Sequence, residues 1–249
     1  MKRFEKQTVI VTGAGSGLGR ASAVRIGSEG GAVACLDLIP DAAKETAAII
    51  TKAGGTARAY TVDVSDQPSV RAGVAAAAKD LGRPTVLINS AGIGRFYHAH
   101  EMTLAQWSQI IGINLTGTFL CCSAVLPHLL NGGGNIVNIA SNAGLMGIAY
   151  AAAYCASKGG VIQLTKALAY EYRDKNIRVN AIAPGGMATP LAANMGLPAD
   201  ADLEKLTRLN TPFGMAEPEW VANVVALVAS EEGRYMTGSV VLADGGLAI

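Results

Sequence analysis

The chain is short of charge. Only 16% of its 249 residues are Asp, Glu, Lys or Arg, the net charge is +1, and between Met102 and Ser157 none of the four occurs. A nucleic-acid partner is therefore not expected, because binding one takes clustered lysine and arginine to neutralise phosphates. Cysteine is also sparse. Cys35, Cys121, Cys122 and Cys155 include no CxxC pair and stand in no spaced His/Cys ligand set, which argues against a metal site and against a disulfide framework. The start, "MKRFEKQTVIVTGAG", has basic residues but no long apolar run behind them, since Thr8, Thr12 and Gly13 interrupt it. No secretory signal is expected, and the cysteines are expected to be reduced in a cytoplasmic chain.

The uncharged stretch itself raises the question of a membrane. A spanning helix needs about 20 predominantly apolar residues, and Asn114, Thr116, Pro127, His128, Asn131 and the glycines at 132–134 are expected to break the run. Burial within protein is the preferred reading, with helices in the middle of a sheet covered by other subunits instead of water. That implies a homo-oligomer.

What is present is a regular alternation. "TVIVTG" at 8–13 is a β-branched run ending in glycine, and "LGRASAVRIGSEGG" then carries helical spacing until Gly30 and Gly31 stop it. Further strands are expected at 32–37, 56–61, 85–89, 135–139, 177–182 and 239–243, as near-continuous apolar runs. Helices are expected at 41–53, 69–81, 103–126 and 151–174. Strands alternating with helices imply parallel pairing through right-handed crossovers. Half the residues are hydrophobic, enough core for one α/β domain over 1–249: a doubly wound, Rossmann-type sheet of seven parallel strands with helices on both faces. The segment from about 190 to 212, bounded by prolines, breaks the rhythm and is either a substrate lid or a packing excursion.

The loop "TGAGSGLG" at 12–19 does not satisfy G-x-G-x-x-G in any register, yet its mechanics suit a dinucleotide. Gly13 can turn sharply after the strand, Gly17 can admit a pyrophosphate and Gly19 can let the helix pack closely. Asp37 ends the second strand, where a carboxylate accepts hydrogen bonds from an adenosine ribose and repels a phosphate, so NAD is expected over NADP.

Taken together, the motifs resemble the short-chain dehydrogenase/reductase family over nearly the whole chain. "TGAGSGLG" is similar to its TGxxxGxG loop, "DV" at 63–64 to its adenine contact, "NSAG" at 89–92 to its NNAG, with Ser90 a small departure, and "PGGMAT" at 184–189 to its PGxxxT. The resemblance implies cofactor contacts from Gly13, Ser16, Gly17, Leu18, Gly19 and Asp37. It implies adenine contacts from Asp63 and Val64, a central cleft lined by Asn89, Ala91 and Gly92, and nicotinamide-end contacts from Pro184, Met187 and Thr189. Each residue also has an ordinary reading: Asp63 as a turn former, Asn89 and Gly92 as strand-end punctuation, Thr189 as a helix cap.

The chemistry is expected further on. "YAAAYCASKGG" at 150–160 puts Tyr150, Tyr154 and Lys158 on one helical face, and Ser141 lies just beyond a buried strand. Helix rise sets Tyr154 about 6 Å from Lys158 but Tyr150 about 12 Å away, so only Tyr154 is close enough to couple to the lysine. The resemblance assigns Ser141, Tyr154, Lys158 and Asn114 as the catalytic set. Tyr154 acts as acid/base and also contacts the cofactor; Lys158 lowers the phenol pKa and bonds the nicotinamide ribose. Ser141 polarises the substrate oxygen, and Asn114 holds backbone and a water in a proton relay.

Hydride transfer between NAD(H) and a secondary alcohol or ketone is the activity this implies, in a tetramer. Two other readings stand beside it: a 3-oxoacyl-thioester reductase and a non-catalytic dinucleotide sensor. Gly94, Arg95, Phe96, His98, Leu145, Met146, Tyr150, Gly186, Leu191 and Met195 are candidate pocket residues. Arg95 is either an anion contact or a solvated loop cation, and Tyr150 either a pocket wall or packing.

Overall fold

Strand β1 (Thr8–Thr12) is buried at every position, and its residues alternate between two cores: Val9 and Val11 enter one, Ile10 the other. A strand buried on both faces needs a helical layer on each side. In the computed structural model, which describes residues 2–248, six more strands follow: β2 (Ala32–Asp37), β3 (Thr56–Thr61), β4 (Pro84–Asn89), β5 (Gly134–Ile139), β6 (Ile177–Pro184) and β7 (Val240–Ala243). All neighbours pair in parallel, in the order β3-β2-β1-β4-β5-β6-β7. The order reverses between β1 and β4, the switch point where such sheets open a ligand cleft at their carboxyl ends.

The helices are α1 (Gly17–Ser28), α2 (Pro40–Lys52), α3 (Gln67–Leu81), α4 (Leu104–Ile111), α5 (Gly117–Leu129), α6 (Ala152–Glu171), α7 (Pro190–Ala193) and α8 (Pro218–Ala229). One core sets Leu18, Ile26, Val221 and Val225 from α1 and α8 against Val11, Val33, Ile88 and Val137. The other sets Val70, Val74, Cys122 and Val125 from α3 and α5 against Ile10, Leu36, Leu87 and Ile136.

Three elements differ from the expectation. Strand β3, "TARAYT", is not an apolar run: it is an edge strand, with its outward positions exposed. Helix α8 was not expected at all, although Val221, Ala222, Val225, Ala226 and Ala229 are buried at helical spacing behind Pro218. The helix expected over 103–126 is present, but the polar residues between 104 and 129 do not interrupt its apolar run as expected. The chain is helical from Leu104 to Leu129, passing through a π-helical segment at Gly112–Thr116 and over Pro127. By length and composition this stretch would cross a bilayer, yet 44% of its most apolar window is buried inside the fold. Its start is set by a capping box between Thr103 and Gln106.

Candidate active site

A cavity of about 430 Å³ opens along the carboxyl ends of the strands. Gly13 after β1, Asp37 at the end of β2, Asp63 after β3, Ala91 and Gly92 after β4, Ser141 after β5 and Pro184 at the end of β6 all line it. The strand order therefore sets Asp37 and Asp63 toward one side of the cleft and Ser141 toward the other.

At the first side, Gly13 has φ +65°, and a Cβ there would lie 2.8 Å from the Ala91 backbone, so only glycine allows the loop to meet the β4 end. The Thr12 hydroxyl accepts hydrogen bonds from the amides of Ser90 and Ala91, at 3.1 and 3.2 Å, and fixes that meeting. Asp37 takes the Gly15 amide on one carboxylate oxygen (2.8 Å) and the Ile39 amide on the other (2.9 Å). A carboxylate offers about four acceptor positions, which leaves room for ribose hydroxyls. Arg20, the arginine nearest the loop in sequence, is turned onto the Gly15 carbonyl and paired with Glu45 at 2.7 Å. Asp63 both lines the cleft and holds its turn by accepting from the Ser65 amide and hydroxyl. Ser16, Gly17, Leu18, Gly19 and Val64 line this side as well, and Met187 and Thr189 line the stretch after β6. Thr189 caps α7 by accepting from the Ala192 amide at 3.4 Å. A glycine cradle opening helix α1, with an acid poised at the end of β2, fits the phosphates and ribose of a dinucleotide.

At the other side, α6 carries Tyr154 and Lys158 into the same cavity as Ser141. Lys158 is 4% exposed, and its ammonium lies 5.8 Å from the centre of the Tyr154 ring. It donates to the Ile139 carbonyl at 2.8 Å, tying α6 to the end of β5 two residues before Ser141. Ser141 accepts from the Ala143 amide (3.1 Å) and donates to the Asn142 side-chain oxygen (3.2 Å).

Asn114 sits in the π-helical segment, fully buried, and such a widened turn is a frequent mark of functional sites. It clasps Ile93 both ways, accepting from its amide (2.8 Å) and donating to its carbonyl (2.9 Å), and it also donates to Ser157 on α6. It thus stands behind the cavity wall and braces it.

Burial dominates the electrostatics. It raises the Tyr154 phenol above its ordinary value, and the hydrogen bond with Ser141 offsets only part of that. It lowers Lys158 from 10.5 to about 8. Desolvation is the largest influence on the phenol, so its net shift is upward, with the Lys158 ammonium 5.8 Å from the ring centre.

Other expectations are also revised. Asn89 does not line the cleft: its amide donates inward to Asn138 (2.9 Å) and Cys122, forming a buried link between β4 and β5. Of the candidate pocket residues, Phe96, Gly186, Leu191 and Met195 line the cavity, whereas Gly94, Arg95, His98, Leu145, Met146 and Tyr150 do not. Arg95 is exposed and donates to the carbonyl of its neighbour Gly94.

Tyr150 ties loops together. At φ +65° its carbonyl accepts from Tyr97, its hydroxyl accepts from the Asp202 amide at 2.9 Å, and its ring meets His98 edge-on. The sequence reading missed Asn142, which lines the cavity beside Ser141 and has a buried amide nitrogen with no partner among the described residues. Its adjacency to Ser141 was the available signal.

The profile of the family described as enoyl-(acyl carrier protein) reductase matches residues 13–248. The chain is 35% identical to 2-(S)-hydroxypropyl-CoM dehydrogenase 3 of Xanthobacter autotrophicus, covering 98% of both chains. It is 39% identical to 3beta-hydroxysteroid dehydrogenase 1 of Eggerthella lenta, covering 98% of this chain and 94% of that one. The crystal structure of levodione reductase superposes with a TM-score of 0.90 at 34% identity, covering 99% of each chain. Fold, cleft and relatives define an oxidoreductase that works on CH–OH groups with a nicotinamide cofactor. The chain belongs to the short-chain dehydrogenase/reductase family.

Proposed function

We propose that the protein interconverts secondary alcohols and ketones with NAD in preference to NADP, using Tyr154 as acid/base. The observation that carries this reading is the convergence of Ser141, Tyr154 and Lys158 on a cavity that continues, without interruption, to the Asp37 carboxylate. Bound there, the nicotinamide coenzyme supplies the acceptor or donor of a hydride. Gly13, Ser16, Gly17, Leu18, Gly19, Asp63, Val64, Ala91, Gly92, Pro184, Met187 and Thr189 form its bed.

In alcohol oxidation the carbinol C–H bond breaks and its electron pair leaves with the hydrogen, while the hydroxyl proton passes to the Tyr154 oxygen and the C=O bond forms. Ser141, with its oxygen fixed by the Ala143 amide, holds the reacting oxygen beside the phenol. Lys158 is the cation next to the phenolate that each cycle needs, and Asn114 keeps Ile93 and α6 in register with it. Asp37 favours NAD because a 2′-phosphate would face a carboxylate, and Arg20 is already committed to Glu45.

We also read the enzyme as a cytoplasmic homo-oligomer, a tetramer by family resemblance. Leu104, Trp107 and Phe119 are exposed on the uncharged α4–α5 stretch, and a second copy would bury them. The deciding experiment is NAD reduction with secondary alcohols, 3-hydroxyacyl thioesters and a Tyr154→Phe control. Tyr154→Phe that still binds NADH but turns over no alcohol supports the reading; full activity in that variant overturns it.

A further inference from the structure

The far side of the cavity differs in chemistry from the nucleotide side. Phe96, Ile148, Leu191, Met195, Leu209 and Leu247 line it, and among the described lining residues the one cation of the whole cavity is Lys158. That ammonium is already bonded to the Ile139 carbonyl. Arg95 and His98, which lie outside the lining, bond elsewhere: Arg95 to the Gly94 carbonyl and His98 to Asp200 at 2.8 Å. A carboxylate, sulfonate or phosphate on the substrate would lose its water here and find no free cation among the described lining residues.

The wall is built by a specific close approach. A Cβ at Gly94 would come within 3.0 and 3.2 Å of Met195 side-chain atoms and 3.4 Å of Leu191. The missing side chain is what lets both residues seat against the loop after β4. The Phe96 amide bonds to the Met195 carbonyl at 3.1 Å and locks the seat. Further along the same segment, the Tyr150 hydroxyl holds the Asp202 amide and His98 holds Asp200, so the wall is anchored at three points.

We propose that the substrate side takes an uncharged secondary alcohol, or the matching ketone, carried on an apolar body, and that Leu191 and Met195, seated over Gly94, make that selection. The inference rests on the alcohol–ketone reading above and narrows it. A charged or polyhydroxylated substrate would leave groups unpaired against this wall, and unpaired groups are where discrimination becomes large.

Steady-state rates with NAD on 4-methylcyclohexanol, 4-hydroxycyclohexanecarboxylate and threitol provide the test, with NADH fluorescence titration reporting an intact cofactor site. The methyl compound is expected to exceed both others in kcat/KM by about 100-fold or more. Met195→Arg, or Leu191→Arg if the first variant no longer binds NADH, is expected to shrink the methyl-to-carboxylate ratio by about tenfold or more, because it places a guanidinium opposite the carboxylate. Gly94→Ala is expected to raise KM for the methyl compound while NADH binding is retained. Wild-type turnover of the carboxylate or threitol at least equal to the methyl compound overturns this inference alone. An unchanged ratio in an arginine variant that binds NADH also overturns it. No turnover of any of the three compounds, with NADH bound, overturns both this inference and the alcohol reading beneath it.

Discussion

The Lys158 ammonium donates to the Ile139 carbonyl at 2.8 Å from a site where the residue is only 4% exposed. That one bond joins the helix carrying Tyr154 to the strand that delivers Ser141. It also holds a cation where burial lowers its pKa from 10.5 to about 8, a penalty of roughly 3 kcal/mol at neutral pH. The penalty is complete below about pH 8, where both folded and unfolded lysine are protonated. It fades as pH rises from there toward 10.5, because the folded state sheds its proton first.

Lys158→Met is accordingly expected to raise the thermal midpoint at pH 7 by about 5 °C, after allowance for the lost hydrogen bond. Turnover should fall by about 10³-fold or more. Melting curves at pH 7 and pH 10 check the origin: the stabilisation should shrink at the higher pH. A variant less stable than wild type at pH 7 would show that the bond to Ile139 outweighs the burial cost.

Tyr154→Phe and Tyr150→Phe should separate cleanly. The first removes the phenol proposed as acid/base and should cost about 10³-fold or more in kcat. The second removes an acceptor for the Asp202 amide outside the cavity and should raise KM by a few-fold with kcat largely kept, since it loosens the wall and leaves the chemistry alone. Equal losses in kcat would sink the assignment.

Asp37→Ala should lower the NAD over NADP preference, measured as a ratio of kcat/KM values, by about tenfold or more. The variant also loses the acceptor for the Gly15 and Ile39 amides, so its affinity for both coenzymes should drop. An unchanged ratio removes Asp37 from cofactor selection.

Because burial keeps the Tyr154 phenol above its ordinary value, the proton-accepting form is scarce at neutral pH. Alcohol oxidation is expected to accelerate as pH rises above neutrality, and ketone reduction to accelerate in the opposite direction. Profiles of log kcat/KM against pH in both directions measure this; oxidation that is flat with pH would contradict it.

Trp107→Glu together with Phe119→Glu should split the assembly, read as a fall in mass by light scattering. Both side chains are exposed on a stretch that carries no charge of its own, and two carboxylates there would oppose burial by another copy. A native chain that is monomeric at assay concentration would refute the oligomer.

Periodicity and punctuation made most of the fold legible. The β-branched runs and glycine stops located seven strands, and the motifs with their family resemblance pointed to Gly13, Asp37, Ser141, Tyr154 and Lys158, which line one cavity. Helix α8 was overlooked, although its buried valines and alanines recur at helical spacing. The helix over 103–126 was expected, but its apolar run was expected to be too interrupted for a bilayer-length span, because polar side chains and proline were weighed locally. In the fold, Asn114 satisfies the Ile93 backbone instead of interrupting its own helix.

The linear order of residues was thus enough for the parallel sheet and the glycine loop, since hydrophobic period and glycine stops act along the chain; the helix-rise comparison of Tyr154 with Tyr150 does not apply, because Tyr150 precedes α6 and sits in a turn at φ +65°. Only the tertiary structure decided which side chains share a space. It turned Asn89 inward to Asn138, made Tyr150 a strut against Asp202, and brought Met195 against Gly94. It also buried the Tyr154 phenol, which pushes its pKa up. Those outcomes depend on desolvation and on contacts between distant segments, which no local pattern encodes.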